Sequence, residues 1–261
     1  MMAVVLLALI AAGVAVIVAP AGPGGGERID GPGAALDAPG DRVAGTELFR
    51  ADFETGDLRQ WDGVQAVAGH GIRVVDDPVA QGRHAARFEV RDGDNPIDAD
   101  DRAELQLASG EAEGDLRWYG WSTMFAPDFP SIDGFQVVTQ WRPRNADGPP
   151  SMGFYVTGDR IRLQVNPYDA EGVPARPPVI EWTGPLDRGA WLHFRMRVRW
   201  SGDDARGAID LWVDGRHVVE DARIRTLYPG DGGYLKQGYY RRAGEPETGV
   251  LYHDGLRVSR G

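Results

Sequence analysis

Apolar and polar residues alternate over many short stretches of this chain, divided by Gly, Pro, Asp and Asn, with no internal repeat and no long run at helical spacing. The stretch RIRLQV (160–165) sets Ile161, Leu163 and Val165 against Arg160, Arg162 and Gln164, after a Thr157-Gly158-Asp159 turn. In WLHFRMRVRW (191–200), Leu192, Phe194, Met196, Val198 and Trp200 share one face, opposite His193, Arg195, Arg197 and Arg199. AIDLWVDGRHVV (208–219) reads as a hairpin, because Asp214-Gly215 supplies the pair of positive-φ positions that a two-residue turn needs. Strands of this length and spacing predict an all-β domain built as a two-sheet antiparallel sandwich.

Three stretches carry a more selective polar face. In RAELQL (102–107) the period of two groups Arg102, Glu104 and Gln106 and leaves Ala103, Leu105 and Leu107 to pack. In FQVVTQWR (135–142) it groups Gln136, Gln140 and Arg142 opposite Phe135, Val137 and Trp141. In YLKQGYY (234–240) it groups Tyr234, Lys236, Gly238 and Tyr240. Lys236 is the single lysine of a chain with 28 basic residues. If the three strands are neighbours, one sheet face gathers guanidinium, ammonium, amide and phenol groups. Trp118 and Tyr119 fall on opposite faces of their own stretch, and the pattern does not say which is outside.

Composition narrows the picture. With 261 residues and 42% apolar content, the chain can bury a full core in one domain. A net charge of −11 argues against nucleic acid as a partner, since a polyphosphate binder presents a basic field, so an anionic ligand has to be met by local arginines. The absence of cysteine excludes a disulfide framework, a thiolate metal site and a Cys nucleophile. Residues 1–21 hold an apolar run from Ala3 to Val18 and then Ala19-Pro20-Ala21, a small-x-small site of the kind found in secretory signals. The basic residues that normally precede such a run are missing, so an N-terminal anchor is the alternative. The expected location is secreted and extracellular, or tethered to the membrane by the uncleaved segment. Residues 22–45 read as a Gly/Pro-rich linker and residues 46–261 as the folded domain, expected to be a monomer.

The polar set on the three strands suits a sugar acid. Removing the C5 proton of a uronic acid is difficult while the adjacent carboxylate is ionised, so a site has to neutralise that carboxylate with Arg, Lys or amide donors. A general base then takes the proton and an acid protonates the departing glycosidic oxygen. A tyrosine near cations can do either, because an opposite charge lowers its pKa. Gly238 is expected to leave room for a sugar ring. Lys236 and Tyr240 lie about 13 Å apart on an extended strand, so Lys236 is expected to hold the polymer or its carboxylate rather than to activate Tyr240.

At these residues the chain resembles the jelly-roll, concanavalin-like polysaccharide lyases, with its nearest likeness to the heparin lyase I and glucuronan lyase type and a relation to the alginate lyases. The motifs that carry the likeness are LFRADFETGDLRQW, RAEL, RWYGWSTMFAPDFP, QVVTQW, WLHFRMRVRWS, YLKQGYYR and LYHDGLRVS. The resemblance implies β-elimination on an anionic, uronate-containing polysaccharide, with R-x-E-L, Q-x-H and Y-x-K-x-G-x-Y strands lining a cleft. Arg102, Glu104 and Leu105 match the first and Tyr234, Lys236, Gly238 and Tyr240 the third. It makes Tyr240 the catalytic acid/base, with Gln140 and Arg142 beside it, and Arg102, Glu104, Lys236, Tyr234 and Arg241 as substrate-binding residues.

The second strand departs from the pattern: Arg142 stands two residues after Gln140, where the family has histidine. Arginine neutralises a carboxylate but stays protonated and cannot be a base. Either Tyr240 performs both proton transfers, or catalysis is lost and a carbohydrate-binding sandwich for acidic glycans remains. A sandwich glycoside hydrolase needs two carboxylates about 5–10 Å apart, and no compact acidic strand motif supplies them. His70, His84, His193, His217 and His253 show no metal-ligand spacing, although His84 or His253 could enter the cleft in place of the missing one. The row formed by His193, Arg195, Arg197 and Arg199 is expected to be a solvated outer face. No cofactor is expected; the acidic loop DGDNPIDADD (92–101) lacks the spacing of a dedicated calcium loop and reads as solvated acids, with structural calcium as the alternative.

Overall fold

The computed structural model describes residues 45–97, 100–170 and 172–261, so the secretory and linker expectations for residues 1–44 lie outside the described part. Fifteen strands succeed one another along the described residues: β1 Thr46–Ala51, β2 Gly63–Gln65, β3 Ile72–Val75, β4 Ala85–Val90, β5 Asp101–Glu111, β6 Leu116–Phe125, β7 Gln136–Pro143 and β8 Met152–Thr157. After them come β9 Arg160–Val165, β10 Val179–Pro185, β11 Trp191–Arg199, β12 Ala208–Val213, β13 Arg216–Arg223, β14 Gly233–Arg241 and β15 Gly249–Arg260. They form two antiparallel sheets. One runs β13-β12-β11-β6-β15-β4-β3, with β1 also paired to β15; the other runs β10-β9-β8-β7-β14-β5-β2.

The predicted hairpin forms where the turn chemistry places it. Asp214 and Gly215 both take positive φ, 49° and 76°, between β12 and β13. The residues of β11 expected inside, Leu192, Phe194, Met196 and Val198, are all buried. Between the sheets the core is aromatic: Trp141 of β7 meets Tyr119 and Trp121 of β6 edge-on at 5.1 and 6.3 Å. Truncating such a side chain costs on the order of 3–5 kcal/mol. Tyr119 is therefore the inside member of its pair. It satisfies its hydroxyl by donating to Glu111 at 2.8 Å and accepting from Trp200 Nε1 at 3.0 Å. Trp118 lies outside, stacked on Trp212 at 5.6 Å with Arg195 over both rings, and Arg197 pairs with Asp210 at 2.7 Å. The arginine row of β11 is thus an outer face with its own partners.

A buried histidine ties the two sheets together behind β14. His253 of β15 is fully buried, bonded to Thr123 Oγ1 at 3.0 Å, and its Nε2 lies 3.3 Å from the Gly238 carbonyl of β14.

Candidate active site

The three singled-out strands are neighbours. β14 lies between β7 and β5, with Tyr234 across from Arg142, Lys236 across from Gln140 and Gln106, and Tyr240 across from Arg102. One polar face results, as the period of two predicts. Its centre is Glu104, 2% exposed, whose carboxylate accepts from Lys236 Nζ at 2.7 Å and from Gln140 Nε2, with Arg102 Nη1 at 3.7 Å. Burial pushes the Lys236 ammonium below its ordinary pKa, against the pull of Glu104.

This geometry corrects two expectations. Lys236 is 3% exposed and spends its charge on Glu104, and Glu104 has both oxygens engaged, so neither side chain is free to hold a polymer. They form the buried frame under the site. Gly238 does not clear space for a sugar either. Its φ is +149°, and a Cβ there would lie 2.2 Å from the Ala103 carbonyl oxygen and 2.8 Å from Glu104 Cα, so glycine is required by the close approach of β14 to β5.

Tyr240 stands at the end of this face. Arg102 covers its ring, Cζ to centroid 4.3 Å, and Phe135 packs against it at 5.3 Å and 60°. The hydroxyl donates to Asp100 Oδ2 at 2.7 Å, while Asp100 Oδ1 accepts from the Ala243 backbone N–H at 3.3 Å. The expected lowering of the tyrosine pKa is reversed. Burial and the Asp100 carboxylate raise it to about 12, outweighing Arg102. In front of the ring is a recess of about 230 Å³, walled by Tyr240, Phe135, Val137, Tyr155 and Arg142. Arg142 is half-buried there and donates to the Gly148 carbonyl at 2.7 Å. Burial also raises Tyr155, to about 12.

Arg241 does not join this site. Its side chain is fully buried on the opposite face of β14, 3.9 Å from Asp101 and over the Tyr239 ring. The exposed member of the pair is Arg242, whose guanidinium lies 5.7 Å over the Phe135 ring. Tyr234 is half-buried across from Arg142. Neither candidate histidine supplies the missing imidazole: His84 pairs with Asp76 at 2.8 Å, and His253 lies in the core behind Gly238, where burial lowers its pKa to about 4.

The face assignment also changes partway along β7. Its pairing with both neighbours shifts between Val137 and Thr139, and both Val138 and Thr139 are buried. Beyond that point Gln136 turns inward to accept from Tyr239 at 2.6 Å, and Phe135 and Val137, expected to pack inside, face the recess. No three His, Asp or Glu residues are grouped to hold a metal ion among the described residues. The acidic loop is instead partly structural: Asp94 bonds His70 at 2.7 Å, Asp101 is buried and Asp100 holds Tyr240.

A family model described as polysaccharide lyase matches residues 53–257, a span that contains every residue of the polar face and the recess. The chain belongs to the polysaccharide lyase family. No curated protein sequence matches it. Among solved structures, this lyase is similar to an endo-β-1,4-glucuronan lyase from the fungus Trichoderma reesei, with a TM-score of 0.66 at 18% identity over 83% of this chain and 96% of that one. It is also similar to an alginate lyase of polysaccharide lyase family 7, TM-score 0.55 at 16% identity over 72% and 83%. A glycoside hydrolase family 131 catalytic domain from Coprinopsis cinerea matches with TM-score 0.55 at 10% identity over 80% and 89%. At such identities these structures share the fold alone, and a lyase and a hydrolase on one sandwich show that the fold does not choose the chemistry. The family model makes that choice.

Sequence reasoning misses Asp100, Tyr155 and Arg242. Asp100 is hidden in a run of acids, and Tyr155 lies in MGFYVT, where nothing but its place beside β7 distinguishes it.

Proposed function

We propose that this polysaccharide lyase cleaves a uronic-acid-containing polysaccharide by β-elimination, with Tyr240 as the group that exchanges protons with the sugar. The carrying observation is that a phenol in contact with Arg102 and Phe135 lines the same recess as Arg142. A uronate carboxylate placed against Arg142 loses the charge that resists C5 deprotonation, and Tyr240 on the same recess is the group within it to take the C5 proton. Gln140 and Arg102 hold the frame from which both groups project. Three cations, Arg102, Arg142 and Lys236, face two carboxylates, Glu104 and Asp100, so the site favours an anion on an acidic protein.

The test is a screen of glucuronan, alginate, heparin-type glycans and pectate for the absorbance of unsaturated uronate ends. Glucuronan comes first because the glucuronan lyase has the higher TM-score of the two lyases. No unsaturated ends from any polymer, together with retention on a uronate gel, would reduce the protein to a binding module. The apolar run of residues 3–18 further supports export, and a mature N-terminus near Gly22 in the medium of a secreting host is its test.

A further inference from the structure

We infer that Asp100 is the proton partner of Tyr240: it takes the phenol proton as the phenol oxygen takes the C5 proton of the sugar, and returns it when Tyr240 protonates the leaving glycosidic oxygen. The inference rests on the β-elimination proposed above and fills the gap that Arg142 leaves in it.

The need for a partner is chemical. A neutral phenol has to shed its own proton before its oxygen can keep one from carbon, and Arg142 cannot accept it. Burial holds the phenol neutral at ordinary pH, with a pKa of about 12, so a standing phenolate is scarce. The hydroxyl proton already points at a carboxylate oxygen 2.7 Å away. That carboxylate is fixed on its other side by the Ala243 N–H, in the turn after β14. Arg102 over one ring face and Phe135 packed against the ring hold it toward that carboxylate.

The charged and titratable groups around Tyr240 fit this assignment. Arg102 and Glu104 face it from β5, Arg142 from β7, Tyr155 from β8, and Arg242 reaches Phe135 beside it. Of these, Glu104 is engaged by Lys236 and Gln140, which leaves Asp100 as the carboxylate bonded to the phenol.

The step balances. The C5–H bond breaks toward Tyr240 Oη as the Oη–H proton passes to Asp100 Oδ2, and the electron pair left on C5 spreads into the carboxylate held by Arg142. The C4=C5 double bond then forms as the C4–O bond breaks. Tyr240 gives its proton to the departing oxygen and recovers one from Asp100. No oxidant, metal or water is consumed. In this scheme Asp100 exchanges its proton only with Tyr240, so it is a positioning residue that acts through the phenol.

The test compares Asp100→Asn, Asp100→Ala and Asp100→Glu with the wild type on whichever uronate polymer the wild type cleaves. The amide keeps the acceptor and the shape but cannot take a proton. Asp100→Asn is expected to lower kcat by about 100-fold or more, the scale of a lost general base, with KM changed less than about threefold. Asp100→Glu retains part of the rate. Asp100→Ala recovers rate with added formate in proportion to its concentration, which a purely structural role does not produce. Unfolding in urea checks that each variant is folded. A full kcat in Asp100→Asn, or a folded Asp100→Ala that binds substrate yet ignores formate, overturns the inference and leaves the lyase reading standing. A wild type that cleaves no uronate polymer removes both.

Discussion

Lys236 and Glu104 form a 2.7 Å ion pair with both partners almost wholly withdrawn from water. The only lysine of the chain is thus a structural cation beneath the site. Gln140 and Arg102 converge on the same carboxylate, so the pair ties β14 to β5 and β7 at the point where Tyr240 is presented.

Removing one partner leaves the other charge buried without compensation. Lys236→Ala is expected to destabilise the domain by about 3–5 kcal/mol, and Lys236→Met combined with Glu104→Gln recovers a large part by removing both charges. Urea unfolding of Lys236→Ala and of the double variant checks this. A Lys236→Ala protein that is as stable as the wild type but binds uronate poorly would return the lysine to a direct substrate role.

Most of this arrangement is legible in the sequence. Alternation identifies Arg102 with Glu104 and Lys236 with Tyr240 as face-sharing pairs, because β5 and β14 pair residue for residue over Lys236–Arg241. It misplaces Phe135, Gln136 and Val137, because the irregular pairing at Val138 and Thr139 inserts one step into the period and no local residue announces it. The sign of the Tyr240 shift is likewise out of reach. It depends on Asp100, 140 positions earlier in the chain, and on how far the ring is buried. Arg241 and Arg242 look interchangeable as text, and only strand parity separates the buried one from the exposed one.

Gly238→Ala places a methyl group against the β5 backbone, at a φ that L-residues avoid. The expected loss is about 1–3 kcal/mol from backbone strain, with added cost if β14 moves off β5. Because the clash falls on Ala103 and Glu104, turnover is expected to fall with stability. Urea unfolding and an unsaturated-end assay on the same preparation check both. Retained stability means that β14 accommodates the methyl group and that the glycine is not required.

His253 and Asp254 give the stability opposite pH trends. Burial lowers His253 from 6.5 to about 4, so its contribution is present above pH 6.5 and is lost as pH falls toward 4. Burial raises Asp254 from 3.8 to about 7, so its contribution is present below about 4 and is lost as pH rises through 7. The wild type is therefore expected to have a shallow profile across this window. His253→Gln keeps polar atoms for Thr123 and Gly238 and removes one trend. The stability gap between wild type and variant should shrink by on the order of 3 kcal/mol from pH 7 to pH 4. Urea midpoints at several pH values measure it, and a constant gap contradicts the buried, neutral imidazole.

Tyr240 and Arg142 separate chemistry from binding. Tyr240→Phe removes one oxygen and keeps the packing against Arg102 and Phe135, so turnover is expected to fall by about 100-fold or more while substrate binding barely moves. Arg142→Ala removes the cation on the recess wall and its bond to Gly148, so both binding and turnover weaken, and the binding loss fades as salt rises. Arg142→His places a titrating ring where the family has one. Its turnover is expected to persist or rise, with a new limb in the pH profile near about 6 to 7. The same substitution in an Asp100→Asn background is expected to restore part of the lost rate, since the imidazole then offers the proton acceptor that the amide lacks. Steady-state kinetics at low and high salt test all four proteins. Full activity in Tyr240→Phe removes the tyrosine from the chemistry, and normal low-salt binding by Arg142→Ala removes the arginine from carboxylate recognition.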